Sequence, residues 1–106
     1  MTILAEPIAA PVEQTTTMKP SEALRLGSLT TEQAFGEAGQ LGKRMCAVAT
    51  VAWMSKDAWS TLSQDLSTRC PDCGGTYQLF NCTVHVNDYH RWTRPQIADW
   101  LEGIGL

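Results

Sequence analysis

Hydrophobic residues recur along this chain at helical spacing in four places and near two-residue spacing in one. Leu24 and Leu26 follow Pro20, which suits the first helical position, and Gly27 is a natural stop, so a short helix is predicted over residues 20–26. Thr30 and Gln33 have capping-box spacing ahead of Ala34 and Phe35; Gly36, Gly39 and Gly42 then break the chain into a loop. Residues 45–54, MCAVATVAWM, are apolar apart from Thr50. Their length and alanine content favour a buried helix, although Val48 and Val51 would also suit a strand. Trp59, Leu62 and Leu66 then mark one face of a third helix, with Asp57 in its first turn. Tyr77, Leu79, Cys82, Val84 and Val86 alternate imperfectly, which predicts two short strands meeting near Asn81. The last pattern is the clearest: Thr93 as N-cap, Pro95 and Gln96 in the first turn, and Ile97, Trp100, Leu101 and Ile104 on one face, closed by Gly103 or Gly105. The expected fold is α+β and α-rich, with about four short helices around a small β element.

The chain has 106 residues, enough for one modest core and too few for a large multi-step enzyme. Residues 1–18 hold Pro7, Pro11, a threonine run and two glutamates without a basic residue, so they read as an extended arm ahead of a single globular domain over 19–106. A formal charge of -3 lacks the basic excess of a phosphate-tracking domain, which disfavours nucleic acid as a partner. The first eleven residues have no basic region and two early prolines, so a secretory signal peptide is not expected. The longest apolar stretch is shorter than a membrane span. These readings place the chain in a cytoplasm, where four cysteines serve as metal ligands or free thiols rather than disulfides.

Cys70, Pro71, Asp72, Cys73, Gly74 and Gly75 form the sharpest local motif. Two thiolates separated by two residues can converge on one Zn²⁺, and the following glycine lets the backbone turn tightly around it. Cys82 and His85 offer a second pair, completing C-x2-C-x8-C-x2-H. In a regular strand, however, Cys82 and His85 would face opposite ways. Either residues 82–85 bend as a second knuckle, or Cys82 is core and the missing ligand comes from Cys46 or His90. A blander reading makes Cys46 and Cys82 buried apolar residues and the C-x2-C an exposed turn without metal. Thioredoxin-like redox chemistry is discounted, because Pro71, Gly74 and Gly75 give no helix after the motif. An iron-sulfur regulator using Cys46, Cys70, Cys73 and Cys82 is a minor alternative.

Residues 85–101, HVNDYHRWTRPQIADWL, carry the densest polar and aromatic clustering. This segment resembles a group of small, uncharacterised bacteriophage and prophage proteins whose C-terminal part runs H-x-N-D-x-H-x-W-[ST]-R-x-x-I-A-D-W. The stretches SEALRLG from Ser21 and QAFG from Gln33, and the Cys46-Ala47 pair, are similar to that group too. Val86 stands where the group usually has leucine, and Pro95 where a helix former is common. The resemblance implies a phage or prophage setting and no particular activity. Physically, Asn87 and Asp88 read as turn formers, Arg91 and Arg94 as partners for Asp88 or Asp99, and Trp92 and Trp100 as core anchors. A sharper alternative makes His85, Asn87, Asp88 and His90 the active site of an HNH-like metal-dependent nuclease. With no phosphate loop, carboxylate pair or nucleophile-base arrangement legible, the expected function is a small, non-enzymatic protein-binding or structural module stabilised by zinc.

Overall fold

A computed structural model describes residues 18–106; the expected arm lies outside the described residues except for Met18, which is half-buried against the core. The elements run α1 (Pro20–Thr30), β1 (Glu32–Gln33), β2 (Gly39–Gln40), β3 (Arg44–Met45), α2 (Ala47–Met54), α3 (Lys56–Leu62), β4 (Ser67–Arg69), β5 (Thr76–Gln78), α4 (Leu79–Asp88) and α5 (Arg94–Gly103). The fold is therefore α+β and helix-rich, with five helices among the described residues. Three two-residue strands form a small sheet in the order β1-β3-β2, parallel between β1 and β3 and antiparallel between β2 and β3. β4 and β5 form a separate antiparallel hairpin in which Thr68 faces Tyr77.

One apolar cluster joins the helices: Leu24 of α1, Val51 of α2, Leu62 of α3, Leu79 and Val86 of α4, and Ile97 and Leu101 of α5, all fully buried. α1 is longer than its sequence suggests, because Gly27 is no terminator. A Cβ there would lie 2.3 Å from Thr50 Cγ2, so the glycine sits inside the helix at a point where α1 and α2 approach closely. Thr30 ends α1 instead of opening a second helix, and Gln33 belongs to β1. α2 begins two residues later than the apolar run, since Met45 pairs in β3 and Cys46 is the N-cap, its Sγ accepting from the Ala49 N–H at 3.5 Å. α3 ends at Leu62, and Leu66 lies beyond it, exposed.

The largest departure is α4. Only residues 76–78 of the expected strand pair are strand, and they pair backwards with β4; the remainder is helix. Leu79, Cys82, Thr83, Val86 and Asn87 are buried on one side at helical spacing, and the Thr83 hydroxyl donates to the Leu79 carbonyl at 2.9 Å. Packing on the core thus overrides the strand preference of Thr83, Val84 and Val86. α5 has the expected cap: the Thr93 hydroxyl accepts from the Gln96 N–H at 3.2 Å, while Gln96 Oε1 accepts from the Thr93 N–H at 2.9 Å. Ile104, expected on its buried face, is exposed. Among the described residues no helix is long and apolar enough to cross a membrane.

Candidate metal centre

The β4-β5 hairpin is short and polar, and Cys70 is its one buried member between residues 67 and 78. Its turn folds around the Cys70 sulfur. The backbone N–H groups of Asp72 and Cys73 both donate to Cys70 Sγ at 3.4 Å, the Gly74 N–H donates to the Cys70 carbonyl at 2.9 Å, and the Cys70 N–H donates to the Gly75 carbonyl at 2.7 Å. Gly74 makes the reversal with φ at +79°, a conformation costly for any residue with a Cβ. The turn leaves Cys73 exposed above the buried Cys70.

α4 brings the histidines. His85 sits in its last turn, and His90 follows directly after the helix, where Arg91 reverses the chain in the left-handed region with φ at 58°. The Arg91 guanidinium lies 4.8 Å from the Phe35 ring centre, a cation-π contact that helps hold this strained position. One donor atom from each of Cys70, Cys73, His85 and His90 lies within 4.8 Å of the others. These four residues could hold a metal ion. The pattern C-x2-C-x11-H-x4-H then lies on a hairpin followed by a helix, with thiols from the turn and imidazoles from the helix end.

The surroundings fit an ion. Cys73 Sγ is 3.5 Å from His85 Nε2. The Gly75 backbone N–H, then His85 and His90, hold the Cys73 thiol down at about 6, far below its ordinary 9.0. His85 is stacked between Tyr77 and Tyr89, with ring centres 4.6 and 5.2 Å away, and meets His90 edge-on at 4.6 Å. Asp72 Oδ2 sits 3.3 Å from His90 Nδ1 and accepts from the Trp92 indole N–H at 3.0 Å. A carboxylate on one imidazole nitrogen fixes the ring and points the other nitrogen at a metal. That other atom, His90 Nε2, is fully buried with no hydrogen-bond partner. A buried unpaired polar atom carries a desolvation cost of about 1–3 kcal/mol, which a metal bond would remove.

Of the expected ligands, the structure brings Cys70, Cys73 and His85 together with His90, the substitute, rather than with Cys82. Cys82 lies on the buried side of α4, where burial pushes its thiol up to about 11 and keeps it neutral. On a helix these two positions, three apart, are neighbours rather than opposed, but Cys82 is fully buried in the core while His85 stays half-exposed in the cluster. Cys46 is the α2 cap and outside the group. Asp72 was not singled out by sequence; a carboxylate inside a C-x2-C turn is the signal that could have marked it.

The neighbouring motif residues have other work. Asn87 faces away from the cluster as a buried hub, its Oδ1 accepting from Gln33 Nε2 at 2.8 Å and the Ala47 N–H at 3.1 Å. Its Nδ2 donates to the Ala34 carbonyl at 3.0 Å and to Asp88 Oδ1 at 2.7 Å, while Asp88 Oδ1 also accepts from the Gly36 N–H at 2.8 Å. Asn87 and Asp88 therefore do not join His85 and His90 in one site, and they end a helix rather than follow a strand. Arg94 pairs with neither Asp88 nor Asp99. It is 3% exposed and donates to the Thr31 hydroxyl and carbonyl at 2.8 and 2.6 Å and to the Thr50 hydroxyl at 3.0 Å. Asp99 instead takes Arg25 of α1. Trp92 and Trp100 are half-buried at the edge of the core, not inside it. Gln33, read as part of a cap, is the missed partner: it donates to Asn87 and to the Trp92 carbonyl, and accepts from the Arg94 N–H at 3.0 Å. No protein family, curated protein or solved structure matches this chain.

Proposed function

We propose that this chain is a small non-enzymatic protein-binding module whose β4-β5 hairpin is stapled to α4 by Zn²⁺, encoded by a phage or prophage and acting in the host cytoplasm. The observation that carries the metal reading is the convergence of two thiols and two imidazoles with His90 Nε2 buried and unpaired among them. Two sulfur and two nitrogen donors are the set zinc favours, and four protein donors close the site, the arrangement of structural rather than catalytic zinc. The phage setting rests on the sequence resemblance alone, whose specific part is residues 85–100.

A protein partner fits better than nucleic acid. α4, the helix that a comparable hairpin-helix unit would offer to a DNA groove, carries no Lys or Arg over Leu79–Asp88, and the net charge is -3. Several large apolar side chains stand open instead, among them Leu29 at 79% and Trp53 at 52% exposure. The test is elemental analysis of protein purified without added chelator, followed by cobalt replacement. One zinc per chain, and thiolate-to-cobalt absorption that disappears in Cys73→Ser, are expected. Metal-free protein with the same melting temperature in EDTA would overturn the reading.

A further inference from the structure

Beside the metal hairpin lies a shallow, mainly apolar groove of about 440 Å³ lined by Pro71, Trp92, Gln96, Asp99 and Trp100. Three features define what would fit it. First, two half-buried tryptophans and a proline supply flat, rigid apolar walls, and the Trp92 wall is fixed through its indole N–H to Asp72. Second, the groove holds unused donors: Trp100 Nε1 and Gln96 Nε2 make no hydrogen bond among the described residues, and Trp100 Nε1 is not buried. Third, charge is unbalanced on this side, since Asp99, which lines the groove, shares the single guanidinium of Arg25 with Glu102 one helical turn on, at 2.7 and 2.6 Å.

We propose that this groove binds an extended, proline-containing segment of a partner protein that carries a basic residue beside its prolines. The inference rests on the reading of the chain as a protein-binding module and names its binding surface. A polyproline segment leaves its carbonyls without internal partners, so they can accept from Trp100 and Gln96 while the pyrrolidine rings pack on the indoles. The surplus carboxylate at Asp99 and Glu102 selects a Lys or Arg next to the prolines, and an indole face strengthens that preference. The chain's own Pro7 and Pro11 are flanked by Glu6 and Glu13, the wrong sign for this rim.

Full-length protein with its zinc content measured is titrated with octaproline peptides bearing arginine, glutamate or no flanking charge, following the tryptophan indole N–H resonances. The arginine peptide is expected to shift Trp92 and Trp100 and to bind about fivefold or more tightly than the glutamate peptide. Trp100→Phe, which keeps a ring and loses the donor, weakens binding about fivefold, and Asp99→Asn erases the charge preference. No indole shift at about 1 mM peptide overturns the proposal, as does affinity indifferent to the flanking charge. So does a shift of the same indoles on replacing Pro7 and Pro11 by alanine without peptide, which would make the chain its own occupant. Missing zinc counts against the metal reading alone; silent indoles in zinc-loaded protein count against the groove alone.

Discussion

The β4-β5 hairpin, residues 67–78, and the helical body beside it solve one problem in opposite ways. Both must hold irregular backbone in place with little apolar surface. In the body, the three-stranded sheet is tied down by side chains: Asn87, Gln33 and Arg94 donate to or accept from backbone atoms of residues 31, 34, 47 and 92. Nearly every polar atom of that hub finds a protein partner, Arg94 Nε being the exception. In the hairpin, Cys70 is the one buried side chain, and where the hairpin meets the end of α4 the buried His90 Nε2 has no partner. A hydrogen-bonded hub completes itself on folding, whereas the hairpin, on the proposed zinc reading, would be completed by an ion from outside.

If zinc is bound as proposed, removing it should separate the two regions most sharply. In EDTA, or in Cys70→Ser, loss of about 3 kcal/mol or more is expected, a fall in melting temperature of roughly 12–24 °C. Amide exchange should speed up first over residues 67–78; uniform protection across the chain would contradict the contrast. Asn87→Ala attacks the other region and should cost about 2–4 kcal/mol by leaving buried partners unmatched. Zinc stoichiometry should stay at one in that variant, as elemental analysis would reveal. Gly27→Ala forces a methyl against Thr50 and should cost about 1–3 kcal/mol, with Thr50→Ser in the same chain restoring part of it. In chelated protein, the Cys73 thiolate should titrate near pH 6, seen by ultraviolet thiolate absorbance and absent from Cys73→Ser. The unfolded thiol protonates near 9.0, so its ionised form stabilises the fold fully above that value, and the contribution drains away as pH falls from about 9 to about 6. Arg25→Ala is the smallest, about 0.5 kcal/mol, because both of its carboxylate partners are exposed.

The sequence was most legible where local chemistry decides the structure. The cap of α5 and the tight turn of residues 70–75 each follow from a few adjacent residues. α4 was hidden because its buried side alternates with β-branched residues, so residues 76–86 read as strands until the rest of the core is present to pack on. That misreading also blurred the metal set: with α4 as a helix, His85 and His90 come to one end and Cys82 turns inward. The hub was illegible for a different reason. Its members are long-range partners, Gln33 and Asn87 lying 54 residues apart, and no local pattern marks them as a pair.

That separation carries a kinetic consequence. Cys73 and His85 are 12 residues apart, so the proposed metal centre would close a short loop and could assemble as soon as His90 has been synthesised. The hub must wait for a loop several times longer to close and for Arg94, which follows the last ligand. Asn87 lies between the two histidines on the chain, so a hairpin already clamped to α4 would deliver it preoriented to the sheet, and the proposed ion would then be a template for the body's assembly as well as a staple.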